Sequence, residues 1–114
     1  MKVLSYVTSD ALVLKVVGNI DENSLFRFNV VSHKIDSTTQ RSVIFDLSEV
    51  NSVPAIFFVK LLSLKAKLNR DRRDLMIRGL SPELEKIVAT MKVDSFIRIE
   101  PKAISYQGKF EEIV

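Results

Sequence analysis

Two apolar segments open the chain and predict a β-hairpin. Lys2–Val7 and Ala11–Val17 are rich in β-branched residues, and the polar tripeptide at 8–10 separates them. Three later apolar runs also predict strands, at residues 42–46, 75–78 and 96–99. The first of these runs is almost entirely apolar, which is typical of a central strand covered on both faces of a sheet.

Between these strands, apolar residues recur at steps of three and four, as on the buried side of amphipathic helices. Pro54 and Pro82 stand at predicted first helical turns, where the missing N–H of proline costs little, and Ser81 is a suitable cap. The four predicted helices are 23–35, capped by Asn23 or Ser24, then 54–69, 81–91 and 101–114, the last weakened by Gly108. This alternation predicts an α/β domain with a mixed, mostly parallel sheet of about five strands.

The composition excludes several kinds of catalytic and metal site. The chain has no cysteine, and its one histidine, His33, cannot form a histidine metal cluster alone. No serine–histidine–acid arrangement or glycine-rich phosphate loop is present. Asp21, Asp46, Glu83 and Glu85 are predicted to have turn and capping roles. We therefore predict no catalytic residue, no metal and no cofactor.

The net charge is +3, and most of the basic residues cluster in the second half of the chain. The cluster contains Lys60, Lys65, Lys67, Arg70, Arg72, Arg73 and Arg78, interrupted by Asp71 and Asp74. The simplest interpretation is a solvated helix surface with a charged loop, and the alternative is docking of an acidic protein or of anionic lipid headgroups. Nucleic acid is not expected, because no aromatic residues are interleaved with the charges.

The chain is expected to be cytoplasmic. No apolar run approaches the ~20 residues that a membrane span needs. The N-terminus also lacks the basic, apolar and small-residue pattern of a secretory signal.

Three short motifs occur in order along the chain. Residues 12–21 are an apolar strand followed by Gly-Asn-Ile-Asp, residues 43–50 an apolar strand followed by Asp-Leu-Ser-Glu-Val, and residues 79–84 are Gly-Leu-Ser-Pro-Glu-Leu. Together they resemble the STAS family of the anti-sigma-factor antagonist type, over roughly residues 3–100. The resemblance implies a single STAS-like domain over 1–114, in a bacterial signalling protein that binds other proteins and is not an enzyme.

The resemblance breaks down after the second motif. In the family, this motif is followed closely by Asp-Ser-Ser-Gly, whose first serine is phosphorylated by a partner kinase. The corresponding residues here, 54–57, are Pro-Ala-Ile-Phe. Ala55 falls on the phosphoacceptor position and has no hydroxyl, so the phosphorylation switch is predicted to be absent there. Ser48 and Ser52 are alternative acceptors just upstream, although turn or capping hydroxyls are the simpler interpretation.

The resemblance also implies a partner-binding surface at the start of the second helix and in the loop after the first motif. Its predicted members are Asp21, Asn23, Ser52, Pro54, Ala55, Ile56, Phe57, Phe58 and Lys60. Neighbouring helical residues point about 100° apart, so Ile56, Phe57 and Phe58 cannot all face one core, and at least one is expected to be exposed. An exposed phenylalanine would be a contact anchor. The alternative is that both rings are buried.

Three functions fit these observations. The leading one is a regulatory module that binds a protein partner constitutively, such as a kinase-like anti-sigma factor or another STAS protein; a homodimer is compatible with the sequence. The alternative is a constitutive STAS subunit of a larger assembly, such as a stress-sensing particle or a lipid-transport ATPase complex. An enzyme or small-molecule binder would need a polar pocket, which no sequence feature predicts.

Overall fold

The computed structural model describes residues 1–101 and 106–114, which contain a six-stranded mixed sheet. The strands are β1 (Lys2–Val7), β2 (Ala11–Val17), β3 (Ser42–Glu49), β4 (Asp74–Leu80), β5 (Arg98–Glu100) and β6 (Glu111–Glu112). Their order across the sheet is β5-β4-β3-β2-β1-β6. Strands β2 to β5 are parallel, whereas β1 pairs antiparallel with both β2 and β6. The predicted α/β class, the mostly parallel sheet and the N-terminal hairpin are confirmed, with one strand more than expected.

Three α-helices connect the parallel strands: α1 (Phe28–Asp36), α2 (Ala55–Arg70) and α3 (Pro82–Met91). A 3₁₀ helix, Glu22–Arg27, precedes α1. Its cap is Asp21 rather than the predicted Asn23 or Ser24. The Ser24 N–H donates to Asp21 Oδ1 at 2.8 Å, and the Asp21 N–H donates to Ser24 Oγ at 3.1 Å. This reciprocal pair is a capping box, which fixes the start of the segment.

All three α-helices pack on one face of the sheet. Alternate residues of β3, such as Phe45, point toward this face and join the main apolar core. The Phe28 ring lies parallel to Phe45 with ring centroids 6.1 Å apart, and it meets Phe57 edge-on at 6.0 Å. Offset and edge-to-face rings of this kind stabilise a core beyond the area that they bury.

The opposite face is covered by Tyr106 and Phe110 of residues 106–114, here called the C-terminal segment, whose last two residues reach the edge of the main core. Tyr106 stacks on Tyr6 of β1 at 3.6 Å between ring centroids, and Phe110 meets Tyr6 edge-on at 5.2 Å. These rings cover a second, smaller cluster that includes Val13 and Ile44. Strand β3 is therefore covered on both faces, as predicted, but by helices on one face and by the C-terminal segment on the other.

The prediction of a final helix over 101–114 is wrong for the residues of this range that the structure describes. Residues 106–110 have no regular structure, Glu111–Glu112 pair with β1, and residues 102–105 lie outside the described residues. The physical reason is that Tyr106 and Phe110 pack on the sheet and become partly buried there. That burial overrides a helical pattern already weakened by Gly108.

Two smaller features complete the fold. The last parallel strand begins at Arg98 rather than at residue 96, because a short 3₁₀ helix, Val93–Ser95, intervenes and leaves Phe96 exposed. Among the residues described, no helix combines the length and apolar character needed to cross a bilayer.

Candidate functional site

The carboxyl ends of β2, β3 and β4 meet at one edge of the sheet, which we call the carboxyl edge. Gly18 ends β2 with a φ of 88°, a left-handed conformation that favours glycine, and turns the chain across this edge. Three hydrogen bonds then join the loops: Ile20 N to Ser52 O at 3.0 Å, Asn51 N to Asn19 Oδ1 at 3.3 Å, and Ser81 Oγ to Val50 O at 2.8 Å. The loops after β2 and β3 and the start of α3 therefore form one connected surface.

Most residues of the predicted partner-binding surface are exposed on or beside this edge. The exposed members are Asp21, Asn23, Ser52, Ala55, Ile56 and Lys60, and Pro54 is partly exposed. Ile56 retains 48% of its surface, which is high for a large apolar side chain. The expectation that at least one residue of 56–58 is exposed is therefore confirmed at Ile56.

Phe57 and Phe58 are corrections to that predicted surface. Their exposed fractions are 1% and 0%, so neither ring is an exposed contact anchor. Phe57 packs edge-on against Phe28 of α1 at 6.0 Å and against Phe58 at 5.5 Å. Both neighbours can be buried because α2 lies deep on the sheet, with more than one of its sides covered. The C-terminal segment is on the opposite face and leaves the start of α2 uncovered.

Sequence reasoning missed Val59, which is 48% exposed on α2. It follows Ile56 by three residues, so the two side chains lie on the same side of the helix. A helical spacing plotted from Ile56, rather than from the core residues, would have found it.

The first turn of α2 has an unusual electrostatic character for a helix start. Pro54 caps it without a side-chain hydrogen bond, and no acidic residue lies in the first turn. The partial positive charge of the helix N-terminus is therefore not offset within α2. In the neighbouring loop, the hydrogen bond from the Ser24 N–H lowers the pKa of Asp21 below its ordinary value, which keeps this exposed carboxylate ionised.

The two alternative serines have different surroundings. Ser48 donates its hydroxyl to Asp46 Oδ1 at 2.7 Å, and the same oxygen accepts the Ser48 N–H at 3.0 Å. This local contact is the turn-like role predicted for Asp46, but it lies inside the sheet, where Asp46 is only 1% exposed. The Ser52 side chain is exposed at the carboxyl edge, three residues before Ala55.

The basic cluster does not form one surface. Arg78 lies on the sheet face opposite the helices, in a charged row that strand register aligns as Lys15, Asp46, Arg78 and Glu100. Arg78 Nε is 2.9 Å from Glu100 Oε2. Of the helical lysines, Lys65 pairs with Asp74, and Lys67 Nζ lies 3.1 Å from Asp36 Oδ1.

Arg73 has a structural role. Its Nε donates to the Gln40 carbonyl at 2.7 Å, and Nη1 donates to the Ile35 carbonyl at 3.0 Å. The side chain therefore fastens the loop between α1 and β3. Within this cluster, the exposed residues that take part in none of the ion pairs formed by residues 1–101 and 106–114 are Lys60, Arg70 and Arg72.

The surface has no grouping typical of a metal site in the part of the chain that the structure describes: no three His, Cys, Asp or Glu side chains are placed to hold an ion. The carboxyl edge instead combines an exposed apolar side chain, Ile56, with polar neighbours. Such an arrangement can form a contact with another protein.

Comparison with known proteins shows which family and which solved structures this chain resembles. A comparison with curated protein sequences returned no match. The fold is similar to the solved structure of the unphosphorylated anti-sigma factor antagonist SpoIIAA, with a TM-score of 0.71 and 15% identity over 87% of both chains. It is also similar to the Bacillus cell fate determinant SpoIIAA in its phosphorylated form, with a TM-score of 0.62 and 13% identity over 87% of this chain and 90% of that chain.

A third similar structure is an anti-sigma factor antagonist from Mycobacterium paratuberculosis, with a TM-score of 0.64 and 18% identity over 88% of this chain and 85% of that chain. At such low identities these structures show the fold alone. The sequence profile of the STAS domain matches residues 2–103, which is most of the chain. The chain therefore belongs to the STAS domain family.

Proposed function

We propose that this protein is a non-enzymatic regulatory module that binds a partner protein through its carboxyl edge. The partner class is a kinase-like anti-sigma factor or another STAS protein. Membership of the STAS family and the similarity to solved anti-sigma factor antagonists support this proposal. The observation that carries it is Ala55, which stands exposed as the first residue of α2 beside the connected loops of that edge.

Ala55 also determines how the module is regulated. The family resemblance aligns it with the phosphoacceptor serine, and a methyl group has no oxygen to accept a phosphoryl group. The partner is therefore bound without a phosphorylation switch at this position. Control comes from the concentration of the protein or from competition between partners.

The surroundings of Ala55 suit a protein contact. Ile56 supplies an exposed apolar side chain, and Asp21, Asn23 and Ser52 supply a polar rim. Interfaces commonly combine a desolvated apolar centre with such a rim. The hydrogen bonds between the loops hold this surface in place before binding, which lowers the entropy lost on association.

The test is affinity capture from an extract of the native cells, at low and at physiological salt. The Ala55→Glu variant adds a large charged side chain to the carboxyl edge, at a helix start where an acid is stabilising. We expect it to lose at least about 90% of the captured partner, a tenfold loss that corresponds to about 1.4 kcal/mol. The matched control is Ala66→Glu, the same change at an exposed position farther along α2.

The results of the capture experiment either support or contradict the proposed function. Capture by the wild type and by Ala66→Glu, but not by Ala55→Glu, supports the proposal. No captured protein at either salt concentration contradicts it, and loss with Ala66→Glu, alone or together with Ala55→Glu, would show that the interface is not confined to the carboxyl edge.

Regulation is tested by restoring a hydroxyl. When the chain is incubated with the same extract and labelled ATP, we expect the Ala55→Ser variant to gain phosphate at position 55 and the wild type to remain unlabelled there. Labelling of the wild-type chain at Ser48 or Ser52 would contradict the proposal that control comes only from concentration or from competition between partners.

A second candidate function, a constitutive subunit of a larger assembly, is favoured by a second exposed apolar site. Phe96 is 65% exposed and lines a shallow groove with Leu62 and Ala66. A subunit held by several neighbours needs more than one such surface. The native mass of the protein in cell extract, measured by size-exclusion chromatography with light scattering, decides between them: obligate co-elution in a large complex favours the subunit.

A further inference from the structure

Helix α2 has a second amphipathic side, which borders the core at Leu64 and is otherwise exposed. Its core side carries Phe57, Leu61 and Leu68. The other side faces a groove of about 420 Å³ between α1 and α2, and its lining residues from α2 are Ile56, Val59, Lys60, Ser63, Leu64 and Lys67. These positions recur at steps of three and four residues, which places them on one side of the helix.

The groove has an apolar floor and short side walls. Phe28 of α1 and Leu64 of α2 form the buried apolar part, and Ile56 and Val59 are each 48% exposed above it. Ser32 of α1 and Ser63 of α2 line the walls. Short side chains of this kind leave room for a third helix, whose axis would lie about 8–10 Å from each neighbour.

The charge of the groove is basic. Its lining contains Lys60 and Lys67 and no carboxylate. The charged residues of α2 as a whole are Lys60, Lys65, Lys67 and Arg70, all basic. Lys67 forms an ion pair with Asp36 at the far end of the groove. Lys60 takes part in none of the ion pairs formed by the described residues. A ligand with apolar and acidic sides therefore complements the groove.

The dimensions match a short helix. From Ile56 to Lys67 the groove follows α2 for eleven residue steps, which at 1.5 Å per residue is about 16 Å, or three helical turns. Ile56 also belongs to the carboxyl edge, so a partner can occupy the edge and the groove at the same time.

We propose that the groove between α1 and α2 binds an acidic amphipathic helix of about three turns, supplied by the partner protein. The apolar side of that helix covers Ile56, Val59 and Leu64, and its acidic residues pair with Lys60 and Lys67. The inference rests on the proposed function, since it names the chemistry of the partner segment.

The probe is a synthetic fluorescent peptide of about 14 residues, held helical by a covalent side-chain crosslink, with leucines at i, i+3, i+4 and i+7, glutamates beside them and alanines elsewhere. Binding to the full chain is measured by fluorescence anisotropy, and the site is mapped by amide chemical shifts. We expect Val59→Asp to weaken binding at least about tenfold, and Lys60→Glu to weaken it about threefold at low salt and less at high salt. Matched controls are Val30→Asp on α1 and Lys86→Glu on α3, which are exposed outside the groove.

Three results would overturn the inference. One is the absence of Val59-dependent binding, either because the wild-type chain does not bind the acidic peptide or because Val59→Asp binds it equally well. Another is equal binding of a peptide in which lysines replace the glutamates. The third is Lys60-dependent binding to phosphatidylserine vesicles without binding of the peptide, which would assign the groove to a membrane surface. Circular dichroism confirms that each variant is folded.

The same variants separate this inference from the proposed function. If partner capture is lost with Ala55→Glu but kept with Val59→Asp, the carboxyl edge stands and the groove fails. If the peptide binds in the groove but no partner is captured by the wild-type chain, the proposed function fails.

Discussion

The two faces of the sheet are covered in different ways. On the helix-covered face, α1, α2 and α3 enclose a large core in which side chains such as Phe45, Phe57 and Phe58 are almost fully buried. On the opposite face, the C-terminal segment covers a small cluster with Tyr106 and Phe110, and the charged row lies beside it.

This difference indicates a division of roles. The helix-covered face holds most of the buried apolar residues, so it contributes most to stability. Helices α1 and α2 also form the groove, and the starts of α2 and α3 border the carboxyl edge. The C-terminal segment is a thinner cover, held by the contacts of Tyr106 and Phe110 with Tyr6, by the pairing of β6 with β1 and by exposed ion pairs such as Lys2 with Glu112. Exposed pairs contribute little to stability.

The largest expected effect is on the helix-covered face. Phe57→Ala removes a ring that is 1% exposed, so we expect the free energy of unfolding to fall by about 3–5 kcal/mol. Urea denaturation measures this change. The control is Ile56→Ala, at the exposed neighbour, for which about 1 kcal/mol or less is expected. Similar losses for the two variants would contradict the assignment of which side of α2 faces the core.

A smaller effect is expected on the opposite face. A Cβ added at Gly108 would collide with the Tyr106 ring, so Gly108→Ala should displace that ring from Tyr6. We expect a loss of about 1–3 kcal/mol and a weaker near-ultraviolet tyrosine signal, with Gln107→Ala as the exposed control. A loss as large as that of Phe57→Ala would mean that the two covers contribute equally.

Alkaline pH tests the opposite face without a change in packing. Burial, with a further contribution from the charge of Asp46, raises the pKa of Tyr6 and outweighs the opposing effect of Arg78. The neutral phenol is therefore favoured in the folded state. Its contribution to stability is complete below the unfolded-state pKa and is lost as the pH rises through the folded-state pKa. We expect Tyr6→Phe to reduce the alkaline loss of stability, and an unchanged pH profile would contradict this.

The smallest expected effect is at the charged end of α2. Burial raises the pKa of Asp74, but the hydrogen bonds from Lys65 and from the Leu75 N–H outweigh it, so the pKa lies below its ordinary value. The resulting stability is present above the unfolded-state pKa and is lost as the pH falls through the folded-state pKa. Because the Asp74 side chain is about half exposed, the contribution is about 1 kcal/mol or less. Lys65→Met should reduce the acid sensitivity of unfolding, and Lys67→Met, which removes the more exposed pair with Asp36, should change it less.

Much of the fold follows from local sequence patterns. The hairpin and the start of α3 were predictable because β-branched strands and the Ser81-Pro82 pair act within a few residues. The path of the C-terminal segment was not predictable, because the positions of Tyr106 and Phe110 depend on a sheet face formed by strands that are distant in the sequence. No local pattern distinguishes aromatic residues that cover a sheet from those of a helix.

The location proposed for the candidate site comes from the family resemblance, whereas the burial of its side chains could not be predicted from the sequence. The family resemblance directed attention to Asp21 and Ala55, and the structure places both exposed beside the loops that form the carboxyl edge. The sequence could not decide which residues of 56–58 are buried, because the answer depends on how deeply α2 lies on the sheet. The exposure of Val59 could not be predicted for the same reason.

Both outermost strands are very short, and this bears on how copies of the chain can associate. β5 has three residues, β6 has two, and four of these five side chains are charged. A sheet grows between molecules only where an edge offers a long row of unpaired backbone groups, and charged side chains discourage that growth. The protein should therefore resist strand-to-strand aggregation, and a sheet continued from one copy of the chain to the next is disfavoured.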